Sequence, residues 1–160
     1  MLKVCISVFS CAAVVSSAFC FSQTVPIKLT SPDGQIVVHF TTQPQKSTEN
    51  DGGKLVYSVD FHGKPVLSES GLALEMNDQQ ALGADVKITG SEPGQGIDDY
   101  TMQNQKVSKI HDAYNSVIVH VAEDDSRHRR MDIEARAYNA GIAFRYVLPE
   151  QGAMKDMLLR

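Results

Sequence analysis

Asp132, Glu134 and Arg136 recur at every second position in one stretch of this chain. In an extended strand, residues two apart share a face and lie about 7 Å apart. Such a row can grip the hydroxyls of a sugar. Two carboxylates at that spacing also fall within the range used by inverting glycosidases. The same row can equally be a wet sheet face holding weak ion pairs. A sugar platform usually adds an exposed aromatic ring as a flat apolar surface. The sequence has no Trp, and Tyr100 and Tyr114 are the aromatic residues placed for that work. The candidate carbohydrate contacts are therefore Tyr100, Tyr114, Glu134 and Arg136.

Other reactive groups point to no chemistry of their own. The five histidines are His39, His62, His111, His120 and His128, and no two stand at zinc-ligand spacing on a helix. His39 and His120 fall mid-strand, His62 in a turn and His128 in a basic loop. The pairs Asp98-Asp99 and Asp124-Asp125 lack the alternating oxygen ligands and glycine of a Ca²⁺ loop and read as solvated turns. Arg127-His128-Arg129-Arg130 is basic but carries no interleaved aromatics, and 15 Lys+Arg stand against 19 Asp+Glu for a net charge of −4. Nucleic acid is accordingly not an expected partner. No nucleophile elbow, phosphate loop or dinucleotide loop occurs, so neither a catalytic residue nor a metal ligand is expected in this chain.

The elements that must position these residues show a period of two. Ile36–Phe40, Leu55–Phe61, Val117–Val121, Met131–Tyr138 and Ile142–Val147 alternate as strands do. Val117–Val121 is apolar on both faces and belongs mid-sheet, whereas 55–61 and 131–137 are half exposed. Ser31-Pro32-Asp33-Gly34 predicts a type I turn. His62-Gly63 predicts a turn with Gly63 at positive φ. Asn139-Ala140-Gly141 predicts a three-residue hairpin loop, and Glu123 to Arg130 a charged loop between strands. Gln43 to Gly53 and Ser91 to Asp99 read as long loops. Short strands between turn signals predict an all-β, antiparallel sandwich or barrel in one domain of 160 residues. Met154 to Arg160 begins a further alternation and stops, which predicts an incomplete sandwich, part of a longer architecture.

The first 22 residues read as a signal peptide: Lys3, then an apolar run from Val4 to Phe21 ending in small residues. Cleavage after Ala18 or after Ser22 satisfies the small-residue rule, and the later site is favoured. Cys5, Cys11 and Cys20 all lie in this segment, so a mature chain starting near Gln23 would hold no thiol and no disulfide. The protein is expected in the periplasm or secreted, with residues 24–160 as its β-sandwich and no membrane association after cleavage.

Several segments in order carry a resemblance. Leu29-Thr30-Ser31-Pro32-Asp33-Gly34 precedes a strand, and Leu55-Val56-Tyr57-Ser58-Val59 leads into His62-Gly63-Lys64-Pro65-Val66-Leu67. A Gly71-Leu72-Ala73-Leu74 strand follows, then Ala113-Tyr114-Asn115, and Arg130 to Tyr138 runs into Gly141-Ile142-Ala143-Phe144-Arg145-Tyr146. This series resembles the N-terminal domain of glycoside hydrolase family 97 over about 29 to 150. The resemblance implies a sandwich of the galactose-mutarotase-like type, belonging to exported α-glucosidases or α-galactosidases. It implies a catalytic (β/α)₈ barrel absent from this chain, with the catalytic carboxylates in that barrel. It also implies Ca²⁺ for the full-length enzyme and no cofactor in this chain. Carbohydrate and the barrel are the implied partners. A stand-alone periplasmic carbohydrate-binding module, or a docking domain for a separate catalytic chain, is the alternative. Many family members carry Trp-rich text before the Tyr-Asn pair, whereas Asp99 to Lys106 here has none.

Overall fold

The structure, a computed structural model, describes residues 26–44, 52–77, 79–101 and 109–152. They form ten strands and no α-helix: β1 Ile27–Thr30, β2 Ile36–Pro44, β3 Gly53–Phe61, β4 Lys64–Gly71, β5 Leu74–Met76, β6 Gln79–Leu82, β7 Val86–Thr101, β8 Lys109–Glu123, β9 Arg130–Tyr138 and β10 Gly141–Val147. All pairings are antiparallel. One sheet runs β1-β2-β3-β7-β8-β9-β10, with β4 on the free side of β3, and β5-β6 form a separate ribbon.

The long sheet is two layers joined at a corner. β3 and β7 share a single residue pair, Gly53 with Val86. Beyond that corner the layers fold over one another, and the Asn115 side-chain amide of β8 donates to the Thr30 carbonyl of β1 at 2.7 Å. Alternation gives each layer one apolar face. Val38, Phe40 and Leu55 from one layer are buried together with Val119, Met131 and Ile133 from the other. Each such side chain contributes about 1.5–3 kcal/mol on leaving water. The result is an antiparallel β-sandwich.

All five expected strands are present. β8 lies between β7 and β9, the expected mid-sheet position. The Ser31 carbonyl accepts from the Gly34 amide at 2.9 Å, closing the expected turn. His62 and Gly63 take φ of 50° and 72° between Phe61 and Lys64, which face each other in register. Two consecutive residues at positive φ make the hairpin turn whose twist matches the strands.

Four expectations are corrected. Ser91 to Asp99 is not a loop but the middle of β7, and Asp98-Asp99 therefore sits in a strand rather than a turn. Pro93 is tolerated because β7 beyond Val86 pairs only with β8, leaving its other edge open. Gly71 to Leu74 is the break between β4 and β5, not one strand. The loop at Asn139 holds two residues, since Gly141 pairs with Tyr138. Gln43 and Pro44 end β2 and Gly53 starts β3, while 45–51 lie outside the described residues, as do the expected signal segment and 154–160.

Candidate functional site

β7, β8, β9 and β10 turn their second face away from the core. Register shows which side chains share it. Tyr138 stands opposite Tyr114, and Tyr114 opposite Gly96; Arg136 stands opposite Ser116 and Ala143; Glu134 stands opposite Ile118 and Arg145. Two residues further along β7 and β8, Asp98 faces Asp112, and beyond them Tyr100 faces Ile110. The four sequence candidates, Tyr100, Tyr114, Glu134 and Arg136, therefore lie on one continuous sheet face.

They are not equivalent there. The Arg136 guanidinium lies over the Tyr114 ring, 4.3 Å from its centroid, and the Tyr138 ring packs against Tyr114 at 5.3 Å. Arg136 donates to both carboxylate oxygens of Asp98 at 3.2 and 3.1 Å, and the Tyr138 hydroxyl donates to Asp98 at 2.6 Å. These four side chains form one network, with Asp98 as its acceptor. Gly96 makes room for it: a Cβ at that position would stand 2.5 Å from the Tyr114 hydroxyl. Glu134 is engaged elsewhere, accepting from Arg145 Nε at 2.5 Å. That guanidinium holds the Glu134 carboxyl below its ordinary value of 4.5. Tyr100 stands apart on the outer reach of β7, 52% exposed.

Two shallow hollows open on this face. One, of about 270 Å³, is lined by Glu134, Arg136, Tyr138, Ala143, Phe144 and Arg145. The other, of about 300 Å³, is lined by Asp98, Tyr100, Asp112, Tyr138, Ala140, Gly141 and Ile142. At the opposite end of the face, His120 Nδ1 donates to the Asp132 carboxylate at 2.9 Å, and its Nε2 lies 3.4 Å from Glu92. The hydrogen bond to Asp132 raises the imidazole above 6.5.

The arrangement can bind polar ligands but is not built for acid–base hydrolysis. A glycosidase acid needs an environment that raises its pKa. Glu134 is instead held ionised by Arg145, and Asp132 is bound to His120. Among the described residues no three His, Cys, Asp or Glu side chains converge to hold a metal ion.

Sequence reasoning missed Asp98, Asp112, Tyr138 and Arg145. Tyr138 was within reach, because the alternation through 132, 134 and 136 needed only one more step. Asp98 and Asp112 join the face through β7–β8 register, which no local pattern displays.

The family model described as Glycosyl-hydrolase 97 N-terminal matches residues 29–158. A curated relative, the retaining alpha-galactosidase of Bacteroides thetaiotaomicron, is 25% identical over 119 residues, covering 74% of this chain and 16% of that protein. A glycoside hydrolase family 97 enzyme from Pseudoalteromonas sp. strain K8, solved in complex with panose, superposes with a TM-score of 0.72 at 21% identity, over 83% of this chain and 19% of that one. A beta-arabinopyranosidase superposes with a TM-score of 0.70 at 24% identity, over 84% of this chain and 20% of that one.

Proposed function

Because this chain belongs to the glycosyl-hydrolase 97 N-terminal family, we propose that it is the non-catalytic N-terminal β-sandwich of an exported α-glycosidase of the α-glucosidase or α-galactosidase type. In this reading it contributes scaffolding and carbohydrate contacts, and a separate (β/α)₈ barrel supplies the catalytic carboxylates and any Ca²⁺. The chain spans only 16% of the curated relative it matches, which supports placing the chemistry elsewhere. The apolar, small-ended segment from Val4 to Ser22 supports export to the periplasm or beyond.

One observation carries the carbohydrate role. Tyr100, Tyr114, Glu134 and Arg136 share one water-facing sheet face with the acceptor Asp98 and the rings of Tyr114 and Tyr138. Arg136 covers the Tyr114 ring, so that pair acts as support behind Asp98 rather than as the stacking surface.

The test uses the purified chain. Titration with maltotriose or melibiose is expected to shift amide resonances of β7–β10 with millimolar affinity, and aryl α-glucosides and α-galactosides are expected to stay intact. The absence of any sugar response overturns the carbohydrate role. Turnover abolished by Glu134→Gln overturns the non-catalytic assignment.

A further inference from the structure

β7 and β8 outrun the strand beside them. β8 pairs with β9 only as far as Tyr114 with Tyr138, while β7 and β8 continue together through Asp98–Asp112 to Thr101–Lys109. The place on β9 that would stand opposite Asp112 is taken by the two-residue turn into β10. That turn is Asn139-Ala140; Asn139 accepts from the Asp33 amide at 3.0 Å, and among the described residues the turn and the start of β10 border the step only with Ala140, Gly141 and Ile142. The step is the hollow of about 300 Å³ between Asp98, Tyr100, Asp112 and Tyr138.

We propose that this notch seats one pyranose unit of an oligosaccharide, with Asp98 and Asp112 accepting from neighbouring hydroxyls and Tyr100 lying against an apolar face of the ring. The inference rests on the carbohydrate reading above and places it at one end of the face. Its size is at the lower limit of small-ligand sites, which suits a single sugar ring rather than a longer stretch of glycan.

The polar wall is prepared in an unequal way. Like charges directly opposite in an antiparallel pair are unfavourable, and Asp98 faces Asp112. Arg136 offsets this at Asp98 at 3.1 and 3.2 Å, and the Tyr138 hydroxyl fixes the same carboxylate at 2.6 Å. Asp98 thus enters the notch already oriented by these bonds and with its charge paired. That lowers the cost of binding a polyhydroxylated ligand. A free cation gains less from the same wall, because Arg136 already occupies the Asp98 charge. Tyr100, more than half exposed, supplies the ring face that a sugar uses and a metal ion does not.

The experiment compares the full chain with Asp112→Asn, Tyr100→Ala and Arg145→Ala, the last at the second hollow. Each is titrated with maltotriose, melibiose and CaCl₂ while amide shifts and Tm are followed. Asp112→Asn and Tyr100→Ala, both on the outer reach of the hairpin, are expected to weaken the sugar by about tenfold each without lowering Tm. Sugar affinity that survives both but is lost in Arg145→Ala overturns the notch and leaves the carbohydrate reading standing. Shifts at the notch with CaCl₂ and none with either sugar overturn it in favour of a cation. No sugar response anywhere on the face overturns the notch and the carbohydrate reading together.

Discussion

Arg129 and Glu123 close the β8–β9 loop from the inside. Arg129 Nε and Nη2 donate to the two Glu123 oxygens at 2.6 and 2.5 Å, and both side chains are 1% exposed. Arg129 Nη2 also donates to the Gln80 carbonyl at 3.0 Å, tying the β5–β6 ribbon to the loop, while the Glu123 amide donates to the Arg129 carbonyl at 2.9 Å. The basic run at 127–130 is therefore not a surface patch. Its central arginine points into the protein.

Removing one partner of that pair takes the main counter-charge from a buried group, leaving Glu123 only Arg127 at 3.7 Å or Arg129 its bond to the Gln80 carbonyl. Arg129→Met and Glu123→Gln are each expected to cost about 3–5 kcal/mol. The double variant Glu123→Leu/Arg129→Met is expected to recover most of the loss. Urea unfolding of the four proteins checks this. Single variants within about 0.5 kcal/mol of the parent would show that the pair carries no such weight.

His120 predicts a pH dependence of stability. Its folded-state pKa is raised above 6.5, first by the hydrogen bond to Asp132 and further by Glu92. A raised pKa favours folding while the ring is protonated. The contribution is therefore complete below about pH 6.5 and is lost as pH rises through the higher folded value. The Tm of the parent is expected to fall more steeply than that of His120→Gln between pH 6 and 8.5. Parallel curves would contradict the assignment.

Gly96 is expected to reverse the usual sign of a strand glycine. Glycine to alanine in a strand interior normally stabilises by about 0.5–1 kcal/mol. Here the new methyl group would meet the Tyr114 hydroxyl at 2.5 Å and its Cζ at 2.6 Å. Gly96→Ala should instead lower stability by about 1 kcal/mol and move the Arg136 Nε resonance as the ring leaves the guanidinium. A more stable variant with that resonance unmoved would refute the packing argument.

Phe40, 1% exposed between the layers, is the largest fully enclosed apolar side chain among the described residues. Phe40→Ala is expected to cost about 3–5 kcal/mol in thermal or urea unfolding. A loss under 1 kcal/mol would mean that the two layers do not pack as described.

Export with cleavage at the favoured site after Ser22 predicts a thiol-free mature protein. Mass spectrometry of the exported form is expected to place its N-terminus after Ser22 or Ala18. Cleavage after Ser22 removes all three cysteines, leaving nothing for Ellman reagent to titrate, whereas cleavage after Ala18 leaves Cys20. An exported chain beginning at Met1 would rule the signal peptide out.

The strands legible in the sequence are those with one buried face. Val38 and Phe40, or Ile133 and Ala135, print their burial as alternation. β4 was missed because nearly all of it is exposed, and an edge strand with only Leu67 against the core prints almost no alternation. β7 was missed for a second reason. Gly90, Pro93, Gly94 and Gly96 are loop residues by local preference, and only pairing along β8 holds them extended. The candidate site was half legible on the same terms. β9 displays Glu134 and Arg136 by alternation, while Asp98 and Arg145 reach them through registers set by distant parts of the chain. Arg129 gave no sign of burial, because its partner Glu123 lies in a stretch whose composition is that of a solvated loop.

The lone Gly53–Val86 pair also shapes the route to the folded state. On one side of it β1 to β4 are successive hairpins, and on the other β7 to β10 are too, so each half can zip from contacts close in sequence. Contacts between the halves, such as Asn115 with Thr30, span most of the described chain and carry the largest loop-closure cost. Refolding is then expected to be limited by the contacts between the two leaves rather than by those within either. A substitution at the Gly53 corner should slow the contacts between leaves more than it slows hairpin formation within either leaf.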